Sequence, residues 1–326
     1  MLIFPADICF EIFQYLDLVD ILKLQLVSKR HLKLITQTKW RVQIHSKSIN
    51  FSKIKNFHIF KMTLDAYHLK SIPSLTFHLE ELTLLNCKVA LDLNKLNKLR
   101  KLSLISCEKV IIDIPSLTYL NLAYSQAEII NCKNVVHLDL GCTKIKKLPF
   151  APKVTHLSID YTSITDIFHL NELTMLSIEG TNVEILPNPE QLRYLNISYT
   201  PITETQLLNY IPYCTALNTL EMEGLSITSL SIECLIKNNI PLLDLNLNDT
   251  NVYSHDVIPL AYHHTIKSLS IDQTRVDQVF INHMLEKETN LIYISALDIL
   301  QFDFDQIKLL QHVYSHLTIH VSDAIQ

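Results

Sequence analysis

At 326 residues and 48% hydrophobic, the chain has the apolar content for a large core, and its composition is not that of a disordered protein. Its three glycines, Gly141, Gly180 and Gly224, lie too far apart for a glycine-rich phosphate loop, and no apolar run approaches the roughly 18 residues that span a bilayer. The net charge of −5 is uneven: residues 1–70 hold eleven Lys and Arg against five Asp and Glu, or +6, which leaves −11 for residues 71–326. A basic front on an acidic body argues against a general nucleic-acid binder.

The first predicted element is "FPADICFEIFQYL", Phe4 to Leu16. A secretion signal needs a positive start and an unbroken apolar run, but no Lys or Arg precedes Lys23, and Asp7 and Glu11 interrupt the stretch. Ile8, Ile12, Tyr15 and Leu16 recur at the spacing of an amphipathic helix, with Pro5 and Asp7 suited to its first turn. A second helix is predicted over "LVDILKLQLVSKRHLKLI", with Leu22, Leu26 and Leu34 along it, and Trp40 follows.

From Phe4 to Trp40 this order of features resembles the F-box: Pro5 after an apolar residue, Asp7, Ile8, "IFQYLD", "DILKLQLVSK" and a closing Trp40. Asp7 stands where Glu is commoner in that family, and His31 where a large aromatic is usual. The resemblance implies a three-helix module over residues 1–45 that docks on a Skp-type adaptor and through it joins a cullin-based ubiquitin ligase. The contact positions it implies are Pro5, Ile8, Ile12, Leu16, Leu26 and Val27. So short a module cannot bury every large apolar side chain alone, and the remainder needs a cover. That cover is a partner, or else the helices cap the start of the repeats that follow. The basic stretch from Lys23 to Lys61 reads as a solvated connector or as a patch facing acidic surface on the assembly.

Beyond it the chain repeats itself. "LTYLNLAYSQA" from Leu117, "VVHLDLGCTKI" from Val135, "VTHLSIDYTSI" from Val154, "LTMLSIEGTNV" from Leu173 and "LRYLNISYTPI" from Leu192 share one apolar frame. The frame also fits from Ile54, Leu79, Leu99, Leu217, Leu242, Ile266 and Leu291, at separations of 18 to 25 residues. In "HLDL", Leu138 and Leu140 alternate with His137 and Asp139, the period of a half-buried strand. One such strand cannot bury its apolar side, so neighbours must stack.

The pattern resembles leucine-rich repeats. The expected fold is an α/β solenoid over residues 46–302, with a curved parallel sheet on the concave side and a C-terminal cap over 303–326. Helices are expected on the convex side in the longer units, at 203–211, 229–239, 254–264 and 276–287, so that the C-terminal third curves more tightly than the middle. The ninth column includes Met62, Cys87, Cys107, Ser125, Thr143, Thr162, Thr181, Thr200, Thr250 and Thr274; its Thr and Ser hydroxyls are expected to satisfy backbone groups from coil to coil, and its cysteines to be structural. Seven scattered cysteines without a C-x-x-C pair read as reduced, buried side chains in a cytoplasmic or nuclear protein.

Positions three, five and seven of each repeat face the concave side. By this reading the face begins apolar at Phe60, Leu85 and Ile105, then turns acidic with tyrosine flanks. Tyr161, Glu179, Tyr194, Glu221 and Glu223 form the candidate contact set for a target protein with a basic segment, unless they are ordinary solvated strand residues. Phosphate prefers arginine clusters and suits an acidic face poorly. No motif calls for a cofactor or metal. His137 with Asp139 and His156 with Asp160 share a face, yet no nucleophile stands beside them, and the chain reads as noncatalytic.

Overall fold

The computed structural model describes residues 39–44, 58–65, 79–88, 91–93, 96–108, 110–299 and 302–321. The helical module expected over residues 1–45 lies outside the described residues except for its last few. The chain divides into two units, Met1–Val154 and Thr155–Gln326.

In the first unit the strands are β1 (Lys39–Ile44), β2 (His58–Asp65), β3 (Glu81–Leu85), β4 (Leu91–Asp92), β5 (Lys101–Ile105), β6 (Val110–Asp113), β7 (Tyr119–Asn121), β8 (Ala127–Asn131) and β9 (His137–Asp139). They form a parallel sheet in the order β1-β2-β3-β5-β7-β9 and a smaller parallel sheet β4-β6-β8. Alternation explains the main sheet. Leu82 and Leu84, Leu102 and Leu104, Leu120 and Leu122, and Leu138 and Leu140 are all buried, and the residues between them face out. Truncating one such leucine to alanine costs about 2–5 kcal/mol.

The second unit carries β10 (His156–Ser158), β11 (Met175–Ser177), β12 (Tyr194–Asn196), β13 (Thr219–Glu221), β14 (Asp244–Asn246), β15 (Ser268–Ser270), β16 (Tyr293–Ala296) and β17 (Thr318–Val321), in sequential parallel order. Five helices return the chain between the later strands: α1 (Glu204–Tyr210), α2 (Ser229–Lys237), α3 (Ser254–Ala261), α4 (Gln278–Glu286) and α5 (Phe304–Val313). Their starts are capped by side chains: Thr203 with Gln206 makes a capping box on α1, and Thr228, Asp277 and Asp303 accept from first-turn amides of α2, α4 and α5. The helices are also tied in series. Glu204 of α1 accepts from the Thr228 amide (2.7 Å) and the Ser231 hydroxyl (2.9 Å) at the start of α2. Burial pushes its pKa up, but these hydrogen bonds outweigh that and hold it below the usual carboxylate range. The chain has the fold of a leucine-rich-repeat solenoid.

Four details differ from the sequence reading. The first repeat is framed from Ile59, not Ile54, because Lys61 pairs with Glu81 and Met62 with Leu82. Met62 is thus a buried core residue of the strand, not the ninth-column residue, and Phe60 does not lie in column seven. Ile59 and Met62 fall on frame positions in both readings, and the strand pairing separates them. Second, strand β1 falls inside residues 1–45 and pairs in parallel with β2, while β17 falls inside the 303–326 segment and pairs in parallel with β16.

Third, five of the six ninth-column threonines bond within their own turn, Thr143 being the exception. The hydroxyls of Thr162, Thr181, Thr200, Thr250 and Thr274 donate to the carbonyl three residues back, at 2.6–2.7 Å. Ser125 works from coil to coil, donating to the Leu104 carbonyl and accepting from the Cys107 amide, and the Cys107 thiol reaches the Leu84 carbonyl of the preceding repeat at 3.5 Å. Fourth, α3 ends at Ala261, so His263 and His264 follow the helix rather than lie on it. Burial, with His264 beside it, pulls the His263 pKa down.

Candidate functional site

Each repeat leaves its strand through the same turn. The eighth residue has a positive φ in every described repeat from Leu79 onward: Asn86, Ser106, Tyr124, Cys142, Tyr161, Gly180, Tyr199, Gly224, Asp249, Gln273 and Asp298. A left-handed residue lets the ninth amide reach the sixth carbonyl, as in Thr162 to Ile159 (3.1 Å) and Thr181 to Ile178 (3.2 Å). Gly, Asn and Asp take this conformation readily; for a tyrosine it costs roughly 1–2 kcal/mol.

The open face of the sheet is built by the residues around this turn. Asn121, Asp139, Asn196 and Asn246 at position five accept from the amides of Ala123, Gly141, Ser198 and Asn248 in their own repeats. Asp160, Ser198, Asn248 and Asp272 at position seven accept from the amides of Glu179, Glu223, Asp272 and Leu297 in the next repeat. Much of the polar character of this face is therefore structural. Asp139 and Asp160, paired in sequence with histidines, spend their oxygens on this ladder: Asp139 also accepts from Asn121, and Asp160 from Ser158 and Ser177.

Within the second unit the structure brings the predicted contact residues together as pairs. The Tyr161 phenol donates to Glu179, Tyr194 donates to Glu221 at 2.8 Å, and Tyr199 donates to Glu223 at 2.8 Å. Asn196 and Asn246 donate to the remaining oxygens of Glu179 and Glu223. The rings of Tyr161 and Tyr199 lie over Gly180 and Gly224, in the space that a Cβ at either glycine would enter. Tyr161 and Tyr199 are thus each seated on the glycine of the next repeat and held at the tip by that repeat's glutamate. Tyr161 and Tyr199 remain 55% and 45% exposed, so their outer faces are available.

The electrostatics are those of crowded carboxylates. Burial pushes the Glu221 pKa up; the Tyr194 hydrogen bond opposes this, and the charges of Glu179, Asp160 and Glu223 add to the rise. Burial also raises Asp160, against the hydrogen bonds from Ser177 and Ser158. The phenol of Tyr194 is raised by burial and that of Tyr199 chiefly by its bond to Glu223. A cation placed here would relieve the repulsion.

Sequence reasoning named Tyr161, Glu179, Tyr194, Glu221 and Glu223 but passed over Gly180 and Gly224 as their seats, and Tyr199 and Asp160 as members of the set. The signal was present: Tyr161 is followed by Gly180, and Tyr199 by Gly224, in the same column of the next repeat. Pro5, Ile8, Ile12, Leu16, Leu26 and Val27 lie outside the described residues. Among the described residues no group of three or more His, Cys, Asp and Glu side chains is placed to hold a metal ion, and no helix is long and apolar enough to cross a membrane. None of the described cysteines is in a disulfide, and burial pushes the thiols of Cys107 and Cys132 up to about 11.

Residues 2–43 match the F-box-like family. The repeats that follow have a leucine-rich-repeat fold, so the chain joins an F-box-like match to that fold, two modules that generally serve protein interaction. No curated protein sequence matches it. Among solved structures, it is similar to a leucine-rich-repeat protein of Leptospira interrogans, with 15% identity, 94% of this chain and 95% of that one covered, and a TM-score of 0.60. It is also similar to a chain in the yeast complex of Rad7 and Elc1, with 16% identity, 96% and 91% covered, and a TM-score of 0.53. Both likenesses are of fold.

Proposed function

We propose that this protein is a noncatalytic substrate receptor of a cullin-based, SCF-type ubiquitin ligase. The observation that carries the reading is the F-box-like match over residues 2–43 directly ahead of a leucine-rich-repeat fold. In this reading Pro5, Ile8, Ile12, Leu16, Leu26 and Val27 contact a Skp-type adaptor, in the cytoplasm or nucleus. The open face then holds the target, with Tyr161 and Tyr199 as anchoring rings and Glu179, Glu221 and Glu223 selecting a segment rich in Lys or Arg.

One observation favours a second reading, in which the N-terminal segment caps a scaffold with no ligase role. The matched segment ends inside β1, which is itself a strand of the repeat sheet. Size-exclusion chromatography of the intact chain with a purified Skp-type adaptor and a cullin separates the two. Co-elution of all three supports the receptor; a chain that co-elutes with neither is a scaffold. Co-elution with the adaptor alone would leave a competitor of other receptors and would overturn the ligase role.

A further inference from the structure

Charge is segregated along the middle of the chain. Residues 140–153 hold Lys144, Lys146, Lys147 and Lys153 and no Asp or Glu, whereas residues 154–236 hold ten Asp and Glu against Arg193 alone. In the first unit, the segment that follows β9 returns as neither helix nor strand, and Lys144, Lys146 and Lys147 are exposed on it. Among the described residues these three make no ion pair and no side-chain hydrogen bond, while Lys153 donates to the Asn134 side chain at 2.8 Å. Phe150 stands beside them, 72% exposed.

The second unit carries the complement. Helix α1 is fastened across the return that precedes it: Gln206 Nε2 donates to the Glu184 carbonyl and the Tyr210 phenol to the Pro187 carbonyl, each at 2.9 Å. Between them lies a cavity of about 290 Å³ lined by Glu184, Ile185, Leu186, Ile202, Gln206 and Tyr210. Ile185 is 65% exposed there. Asp166, Ile185 and Glu204 hold the thirteenth position of three successive repeats, so the isoleucine has a carboxylate on the coil before it and another on the coil after it. The Glu184 carboxylate is exposed and has no partner among the described residues.

An apolar cavity among carboxylates fits an apolar side chain carried between lysines, and the basic return of the first unit is such a segment. We propose that residues 144–153 of a second copy of this chain dock at the cavity beside α1. Phe150 of that copy enters the apolar space at Ile185, Leu186 and Ile202, and its lysines face Glu184, Asp166 and Glu204. The contact joins two different surfaces, so it closes as a dimer where it is made reciprocally and propagates where it is not. Both surfaces belong to the returns between strands, which leaves positions three, five and seven of the strands uncovered.

The test measures the mass of the intact chain by sedimentation velocity over a concentration series, at low and high salt. Mass should rise with concentration, and raised salt should weaken the association by about tenfold or more. Phe150→Ala and Glu184→Lys change exposed side chains, so each should keep the far-UV circular dichroism and urea midpoint of wild type while associating about tenfold more weakly or worse. A Lys146→Glu, Lys147→Glu double variant should also stay monomeric alone. Mixing it with Glu184→Lys should restore association, because each then presents the charge that the other lacks; a defect of folding is not repaired by mixing. A fluorescent peptide of residues 144–153 should bind wild type saturably and Glu184→Lys about tenfold more weakly. Wild type that stays monomeric at every concentration overturns the proposal, and peptide binding by that monomer would assign the cavity to a basic segment of another protein. Association unchanged in Phe150→Ala and Glu184→Lys places the contact elsewhere and overturns it too. No readout uses an adaptor or a cullin, so this contact and the ligase reading fail separately.

Discussion

The ring of Tyr161 occupies the space that a side chain on Gly180 would need, its nearest ring carbons 2.5 Å from the position of a Cβ built there. Gly180 has a φ of +62° and so meets two demands at once, a left-handed turn and a floor for an aromatic ring. Tyr199 and Gly224 repeat the arrangement.

Gly180→Ala is therefore expected to destabilise the chain by about 1–3 kcal/mol, from the left-handed backbone and from displacement of the ring. The same substitution in a Tyr161→Ala background should cost less, since only the backbone part remains. A double-mutant cycle on urea midpoints measures the difference, expected at about 0.5 kcal/mol or more. Additive effects would mean that the ring and the glycine do not bear on each other.

Charge reversal at Glu179, Glu221 and Glu223 to Lys should abolish capture of a lysine- and arginine-rich peptide by the open face of the second unit. The glutamates repel one another but also accept from Tyr161, Tyr194 and Tyr199, so the urea midpoint of the triple variant is measured beside its binding. Peptide anisotropy at low and high salt checks this, with wild-type binding weakening as salt rises. Unchanged affinity in the triple variant would make these residues ordinary solvated strand positions.

Glu221 and Asp160 have raised pKa values in the folded chain, above those of an unfolded carboxyl. The folded state then binds more protons than the unfolded state as pH passes through that interval, and stability falls as pH rises through it. Glu221→Gln keeps an acceptor for the Tyr194 phenol but removes the charge. Its urea midpoint should gain on wild type as pH goes from about 5 to 8. A gap constant with pH would show that Glu221 titrates as it does unfolded.

The ninth column offers an internal control. Thr181 donates to the Ile178 carbonyl at 2.7 Å, whereas the buried Thr143 hydroxyl has no hydrogen-bond partner. Thr181→Val should cost about 1–2 kcal/mol, and Thr143→Val should be neutral or stabilising by up to about 1 kcal/mol. Equal costs in thermal unfolding would contradict this division.

Repeat spacing and apolar columns were legible because a period-two strand must hide one side, and Leu138 and Leu140 allow one choice of side. The frame of the first repeat was not, since Ile59 and Met62 fit two registers and the Lys61–Glu81 pairing that decides between them joins residues twenty apart. The acidic and aromatic residues of the second unit were legible as columns, but their pairing was not. Tyr161 reaches Glu179 only because position eight is left-handed, a backbone property with no single residue type behind it: Asn, Ser, Cys, Gly, Asp, Gln and Tyr all occupy it. The threonine hydroxyls were misassigned for the same reason, since the tight turn brings their own sixth carbonyl closer than a neighbouring coil.

The account turns on whether the opening segment docks on an adaptor. A pull-down of purified Skp-type adaptor by the intact chain, beside an Ile12→Asp, Leu16→Asp double variant of equal urea midpoint, tests this most directly. Capture by wild type and loss in the variant is the predicted result. Failure of folded wild-type chain to capture the adaptor would contradict it, and "FPADICFEIFQYL" would then be the end cap of a repeat scaffold.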